Sequence, residues 1–484
     1  MSNCLKSNEP FQKQTKKWEH KLRSHVVKAF PKIRSQKRKF QDTEVGIMLE
    51  TRKRIKLQPI VNEEELASIE EAIARKTSEK FYNQIKESMG HLKGDDGALS
   101  HHGVWKARGK LFSNGKEGNP IALKDKHGNL VTNEEGIKKL CLEEILERLR
   151  HRKIHPNLKE LQTLKETLCQ KRLDLARHIK SEPWSMKQLE DVLNRLKNKK
   201  CQDPHGYVNE LFKYEAAGTD LKKSLLHIMN KTKDLLEVPD IMKTVNVVMI
   251  PKPHKSSLHN IQNQRGIFLL SVFRSILMKM LLKDEYAKIN SFMSDSNVGG
   301  RKGRRAQDHL FIINGIIFDH ARSQKKQPIS IMIYDAEQCF DSLWQEEVIN
   351  NLYEAGIRND KLALLQEINS DNNVAVKTHG GLSQRKNVEK IICQGEPWGP
   401  IECSLQVDTI GKESLHKSLQ PYKYKDEIEI PALGFVDDVI TVSESGFKTA
   451  RLNSFMNAQF AMKKLRLGPK KCFSMHVGKK HELF

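Results

Sequence analysis

Residues 433–442 read Leu-Gly-Phe-Val-Asp-Asp-Val-Ile-Thr-Val, two adjacent aspartates set between two short apolar runs. Aspartate is poorly suited to strand interiors, whereas Phe435, Val436, Val439, Ile440, Thr441 and Val442 favour strands. The segment therefore reads as a β-hairpin with Asp437 and Asp438 at its tip. Carboxylates side by side repel and raise each other's pKa unless a cation neutralises them, and hard divalent cations prefer such oxygen donors. A lone Asp-Asp turn is usually only a turn, but here it has a partner upstream. Ile329 to Tyr334 is an almost continuous apolar run, suited to a strand buried on both faces, and Asp335 follows it at once. A carboxylate there and a pair on a neighbouring hairpin can converge on two metal ions, roughly 3.5–4 Å apart in phosphoryl-transfer sites. The separation, 437 − 335 = 102 residues, means that only the fold can assemble such a site.

Other short motifs surround this pair in a definite order. Ile250-Pro251-Lys252-Pro253 comes first, then Gln264-Arg265-Gly266-Ile267, then Tyr334-Asp335 with Phe340-Asp341. Gln394-Gly395-Glu396-Pro397-Trp398-Gly399-Pro400, Phe435-Val436-Asp437-Asp438 and Pro469-Lys470-Lys471 follow. In this order and spacing, from about residue 180 to about 478, the chain resembles the reverse transcriptase of non-LTR (LINE-type) retrotransposons. The resemblance implies an α+β fold, a right-hand polymerase with fingers and palm, preceded by a mainly helical connector. It implies an RNA-directed DNA polymerase that extends a primer 3′-hydroxyl with dNTPs by two-metal nucleotidyl transfer. The ions would be Mg2+, with Mn2+ as a substitute, and the partners an RNA template and a DNA primer. Two positions depart from the family pattern. Asp203-Pro204-His205-Gly206 stands where a Pro-Asp-Gly turn is usual, and Gly468 stands where asparagine is usual.

Carried over residue by residue, the resemblance makes Asp335, Asp437 and Asp438 the catalytic, metal-holding aspartates. Asp335 and Asp437 would be the primary ligands, and Asp341 a helix cap. Phe340 would lie beneath the sugar and exclude a 2′-hydroxyl. Lys252 and Arg265 would contact the triphosphate, where a compact ammonium and a bidentate guanidinium both suit phosphate. Gln394 and Gly395 would line the nucleotide and template, glycine letting the backbone come close. Lys471 would assist the pyrophosphate leaving group. The cluster Arg301-Lys302-Gly303-Arg304-Arg305 suits a nucleic-acid backbone or, equally, a solvated loop.

Charge agrees with a polyanionic partner: 83 Lys and Arg against 60 Asp and Glu give +23 over 484 residues. Residues 1–58 carry 16 basic and 5 acidic side chains, almost half of that excess. We divide the chain into a basic, disordered tail (1–60), the connector (61–180), fingers with the start of the palm (181–328) and palm (329–484). No signal segment opens the chain and no stretch approaches the ~20 apolar residues of a bilayer span, so no membrane is expected and the nucleus or cytoplasm is. Eight scattered cysteines without a Cys-x-x-Cys pair argue against a disulfide framework or a structural zinc. No room is seen for a thumb, an RNase H module or an apurinic-type endonuclease, so the chain reads as the core of a longer polyprotein. The competing reading is a catalytically idle relic that binds RNA or DNA through its charge. A maturase or viral RNA polymerase fits less well with the Tyr334–Asp341 and Gly395–Pro400 stretches.

Overall fold

The strands, in chain order, are β1 (Leu123–Lys124), β2 (Leu130–Val131), β3 (Thr244–Pro251), β4 (Gln264–Leu270), β5 (Ile329–Asp335), β6 (Ser370–Thr378), β7 (Gly381–Leu382), β8 (Lys386–Lys390), β9 (Tyr422–Tyr424), β10 (Ile428–Ile430), β11 (Leu433–Phe435), β12 (Asp438–Ser443) and β13 (Phe473–Val477). The structure, a computed structural model, describes residues 5, 9–29, 51–52, 64–65, 68–69, 122–150, 156–198, 200–213, 218–252, 260–322, 329–378, 380–425 and 427–478. One compact unit comprises residues 1–21 and 119–484, a second residues 22–118. In the second, 51–52, 64–65 and 68–69 are helical, as are residues 22–29.

The larger unit is a mixture of helices and sheets. Its first sheet runs β4-β3-β6-β7, with β8 also on β6; β3 and β6 are parallel and the other pairs antiparallel. The helix Glu134–Arg148 covers this sheet, burying Ile137, Cys141 and Ile145 against Val245, Val247, Val374 and Val376. Asn133 caps that helix by accepting from Gly136 N–H, and Glu134 and Glu135 complement its dipole. The second sheet runs β11-β12-β5-β13, antiparallel throughout. The apolar run of β5 makes it an inner strand, with Ile329 and Ile331 buried against Ile313 and Ile316 of the helix Ala306–Arg322. Its register with β12 runs from Ser330 opposite Ser443 to Asp335 opposite Asp438.

Several local expectations meet the structure closely. Ser185 and Gln188 form a reciprocal capping box at the start of the helix Met186–Asn194. The strands β1 and β2 form a hairpin, and its turn is pinned by Asp125 Oδ1, which accepts from His127 and Asn129 N–H at 2.8 Å each. At the unusual Asp203-Pro204-His205-Gly206 turn, Asp203 Oδ1 accepts from His205 N–H at 2.9 Å and Tyr207 N–H at 2.8 Å. Its other oxygen caps the helix Val272–Phe292 through Val272 N–H at 3.0 Å.

Other expectations need correction. Residues 428–435 form two strands, β10 and β11, separated at Pro431, whose nitrogen cannot donate to a ladder. The basic tail is not unstructured throughout, because Phe11–Ala29 is a helix and Trp18 is fully buried, edge-on to Phe273 at 5.6 Å. The basic residues from Lys32 to Lys39 and most of residues 61–89 of the connector lie outside the described residues. Asp341 is not a cap: it sits within the short helix Cys339–Ser342, whose cap position is Gln338 with φ +52°. Among the described residues no helix is long and apolar enough to cross a membrane.

Candidate active site

Asp335 ends β5 and Asp438 begins β12, and the two are direct partners across the antiparallel pair. Cross-strand partners stand about 4.5–5.5 Å apart at Cβ, and like charges there repel. The hairpin tip is therefore Val436–Asp437, one residue earlier than the sequence suggested, with Asp438 already in the strand. Val436 has φ +58°, a rare conformation for a β-branched residue and one that surrounding structure must impose.

That surrounding structure is the loop 296–299. Gly434 N–H donates to Ser296 O at 2.9 Å, and Val298 N–H donates to Gly434 O at 3.0 Å. Asn297 Nδ2 donates to Ser404 O at 2.7 Å. Gly299 lies so close that a Cβ on it would stand 2.2 Å from Val436 N and 2.5 Å from Ser404 Oγ. Arg301 braces the same loop, donating to Ser294 O at 2.6 Å, Asn297 O at 2.9 Å and Asn290 O at 3.0 Å. Arg301, in the cluster that suited a nucleic-acid backbone or equally a solvated loop, is thus a structural brace. Gly299→Ala should push the turn carrying Asp437, and a 1 Å misplacement can cost on the order of 10²-fold in rate. Nucleotidyl transfer and thermal unfolding of the variant test this; a wild-type rate would make Gly299 mere packing.

The carboxylates are held in an unfavourable charge balance. Burial first, and then the Asp335 charge, push Asp437 up, while Lys471 and Arg265 pull it back. Burial, Asp437 and Asp335 together push Asp438 up to about 6. Lys471 Nζ donates to Asp335 Oδ1 at 2.6 Å, and that bond raises the lysine's own pKa. Lys471 is brought there by main-chain bonds: Gly468 N–H donates to Asp335 O at 2.9 Å and Glu337 N–H to Arg466 O at 2.8 Å. Hard-oxygen donors with excess negative charge fit divalent cations in kind. Among the described residues, however, no group of three or more such side chains is drawn together as a ready metal cage.

Two cavities meet at these aspartates. One, of about 610 Å³, is lined by Lys252, Arg265, Phe340, Gln394, Asp437 and Lys471, among others. The other, about 530 Å³, is lined by Asp335, Asp438 and Lys471 with apolar Leu310, Ile333, Phe435 and Phe473. Arg265 is exposed, across the β3–β4 ladder from Ile250. Lys252 Nζ donates to Gln262 O at 3.0 Å. Phe340 rests on Gly399, where an added Cβ would be 3.4 Å from its Cε1. Gly395 has φ +102°, which a side chain would strain; it lines neither cavity, although Gln394 beside it does.

Sequence reading missed what holds the 394–400 loop. Arg274 and Glu396 are a fully buried ion pair, and Arg274 also donates to Asn372 Oδ1 at 2.5 Å and Asn369 Oδ1 at 3.0 Å. One turn along the same helix, Met278 O accepts from Trp398 Nε1 at 2.8 Å. The available signal was a single charge in the apolar run Val272-Phe273-Arg274-Ser275-Ile276-Leu277. Also missed were Lys126 and Arg148, which line the larger cavity from the connector; Arg148 spans from Glu144, at 2.8 Å, to Gln264 O, at 2.9 Å.

Glu402 shares the buried network without a base of its own. Neither of its oxygens has a hydrogen-bond partner among the described residues, and burial, with Glu396 nearby, pushes it up to about 8, against which Arg274 acts. The folded chain thus keeps a proton that the unfolded chain loses near 4.5. Stability from this group is full below that value, falls as pH rises, and is gone above about 8. Glu402→Gln should therefore match wild type near the acid end and exceed it at alkaline pH, by at most about 5 kcal/mol at ~1.4 kcal/mol per pKa unit. Denaturant titrations across pH check this; a gain independent of pH would contradict it.

Residues 250–483 match the family described as reverse transcriptase (RNA-dependent DNA polymerase). That match takes in just under half of the chain and indicates the enzyme class RNA-directed DNA polymerase, a nucleotidyltransferase. Among solved structures it is similar to apo telomerase from Candida tropicalis truncated from its C-terminal domain, at 12% identity and TM-score 0.37. That match covers 50% of this chain and 51% of the telomerase chain, so this chain spans about half the length of the structure it matches.

Proposed function

We propose that this chain is the polymerase of a non-LTR (LINE-type) retrotransposon, extending a DNA primer 3′-hydroxyl on an RNA template with dNTPs. The observation that carries the reading is the register of Asp335 against Asp438, with Asp437 in the adjoining turn, where two cavities meet. In this reading 181–328 are fingers and the start of the palm, 329–484 are palm, and 61–180 connect to them. Asp335, Asp437 and Asp438 hold divalent ions, Mg2+ or Mn2+. When bound, such ions activate the attacking hydroxyl and neutralise the triphosphate. Lys252 and Arg265 bind the phosphates in the larger cavity, and Gln394 and Gly395 border the nucleotide. The primer terminus lies against the more apolar cavity. Lys471, kept charged by its bond to Asp335, swings toward the departing pyrophosphate.

Phe340 underlies the sugar in this arrangement. Phe340→Ala should raise ribonucleotide incorporation roughly 10–100-fold, the range one steric contact discriminates, with deoxynucleotide extension little changed. An unaltered ribo-to-deoxy ratio would reduce Phe340 to packing on Gly399.

Primer extension by the purified chain on an RNA template, with Asp437→Ala alongside, tests the whole reading. The relic alternative draws on two observations: Lys471 already neutralises Asp335, and no three-donor cage is preformed among the described residues. Salt-sensitive RNA binding without extension at any Mg2+ or Mn2+ concentration would favour the relic.

A further inference from the structure

We propose that Cys339 and Cys403 are an oxidisable pair that closes to a disulfide when a peroxide enters the larger cavity. Cys339 opens the helix Cys339–Ser342 and Cys403 lies on the helix Gly399–Ser414. Their sulfurs are 2.9 Å apart, closer than the roughly 3.5–4.0 Å at which non-bonded heavy atoms settle. Among the described residues no other two cysteines bring their sulfurs into contact.

The two thiols differ in access. Both are buried, but Cys339 lines the cavity and Cys403 does not. The hydrogen bond with Cys339, together with burial, holds the Cys403 proton firmly. Attack therefore begins at Cys339. Its sulfur, having given its proton to solvent, bonds one peroxide oxygen; the O–O bond breaks, and the other oxygen leaves as water. The resulting sulfenic acid is met by the Cys403 sulfur. The S–S bond forms, the S–O bond breaks, and the hydroxyl departs as a second water with the Cys403 proton. Two thiols have lost two electrons, and one peroxide has become two waters.

The cross-link would tie together the backbone on both sides of the proposed sugar pocket. Phe340 follows Cys339, and the Gly399 on which its ring rests lies one helical turn before Cys403. An effect on nucleotide selection rests on the polymerase reading; the modification itself does not.

The folded wild-type chain is treated with hydrogen peroxide, denatured, alkylated, digested and mapped by mass spectrometry. The expected product is a Cys339–Cys403 linked peptide, two hydrogens lighter than its parts, which dithiothreitol abolishes and which Cys403→Ala lacks. Recovery of both cysteines alkylated, while exposed Cys201 is oxidised, would overturn the proposal; so would a link from Cys339 to another cysteine. The wild-type map decides whether or not the variant folds. A chain that forms the link yet extends no primer would uphold the pair and sink the polymerase reading alone.

Discussion

Asp437→Ala is expected to lower primer extension by roughly a thousandfold or more without weakening the fold. A loss of that size is about 4 kcal/mol of transition-state stabilisation at 1.36 kcal/mol per tenfold, well within what metal-assisted charge neutralisation supplies. The stability side follows from the ground state. Burial and Asp335 already push the Asp437 pKa up, so its charge is unwelcome in the folded chain when no cation compensates it. Removing it also relieves Asp438, which Asp437 helps to push up to about 6. Activity and stability should therefore move in opposite directions, as they do where function requires a strained site. Asp335→Asn should abolish extension as well, but through a different ground state, because it releases the Lys471 ammonium from its 2.6 Å bond. Extension rates with added divalent ion, and thermal unfolding without it, separate the two effects. Retained extension by Asp437→Ala would remove these aspartates from the chemistry. A large loss of stability would make them structural.

The reach of the sequence differs between the two halves of this site. The aspartates were legible because strand chemistry is local. A β-branched run that stops at a carboxylate, and a second run that starts at one, set both ends of the pairing before any pairing is known. The pairing of β3 with β4, which sets Arg265 across the ladder from Ile250, was not legible in this way. What escaped was whatever depends on distant groups meeting. The Asp437–Asp438 tip was misjudged by one residue because the turn's geometry is set by Gly299 pressing on Val436, a contact that no local rule contains. Arg301 was left between a phosphate contact and a solvated loop because composition cannot see that carbonyls of Ser294, Asn297 and Asn290 converge on it. Glu396 looked like part of a turn because its partner lies 122 residues earlier (396 − 274), on a helix whose other residues read as plain core.

That buried pair gives the second large effect, and the two halves of it should not be equivalent. Breaking a buried ion pair by removing one partner costs about 3–5 kcal/mol, because the charge left behind has neither water nor counter-charge. In Glu396→Gln the survivor is Arg274, which cannot shed its proton within any accessible pH range. It retains Asn369 and Asn372, but two amide oxygens do not neutralise a guanidinium. In Arg274→Met the survivor is Glu396, a carboxyl that burial already pushes up and that can simply take a proton. Its cost is then mainly the two orphaned asparagine oxygens, at about 1–3 kcal/mol for each unsatisfied group. Glu396→Gln should thus be the more damaging single change at pH 7. Adding Arg274→Met to Glu396→Gln should restore part of the loss, since the double variant buries no net charge. The Arg274→Met penalty should also grow as pH rises and Glu396 is forced to ionise beside Glu402, whereas the Glu396→Gln penalty should stay nearly flat. Denaturant-induced unfolding of the three variants across pH measures all of this. If the two single changes cost the same at every pH and add in the double variant, the pair is not coupled, and the loop from Gln394 to Pro400 must be held by the Trp398–Met278 bond alone.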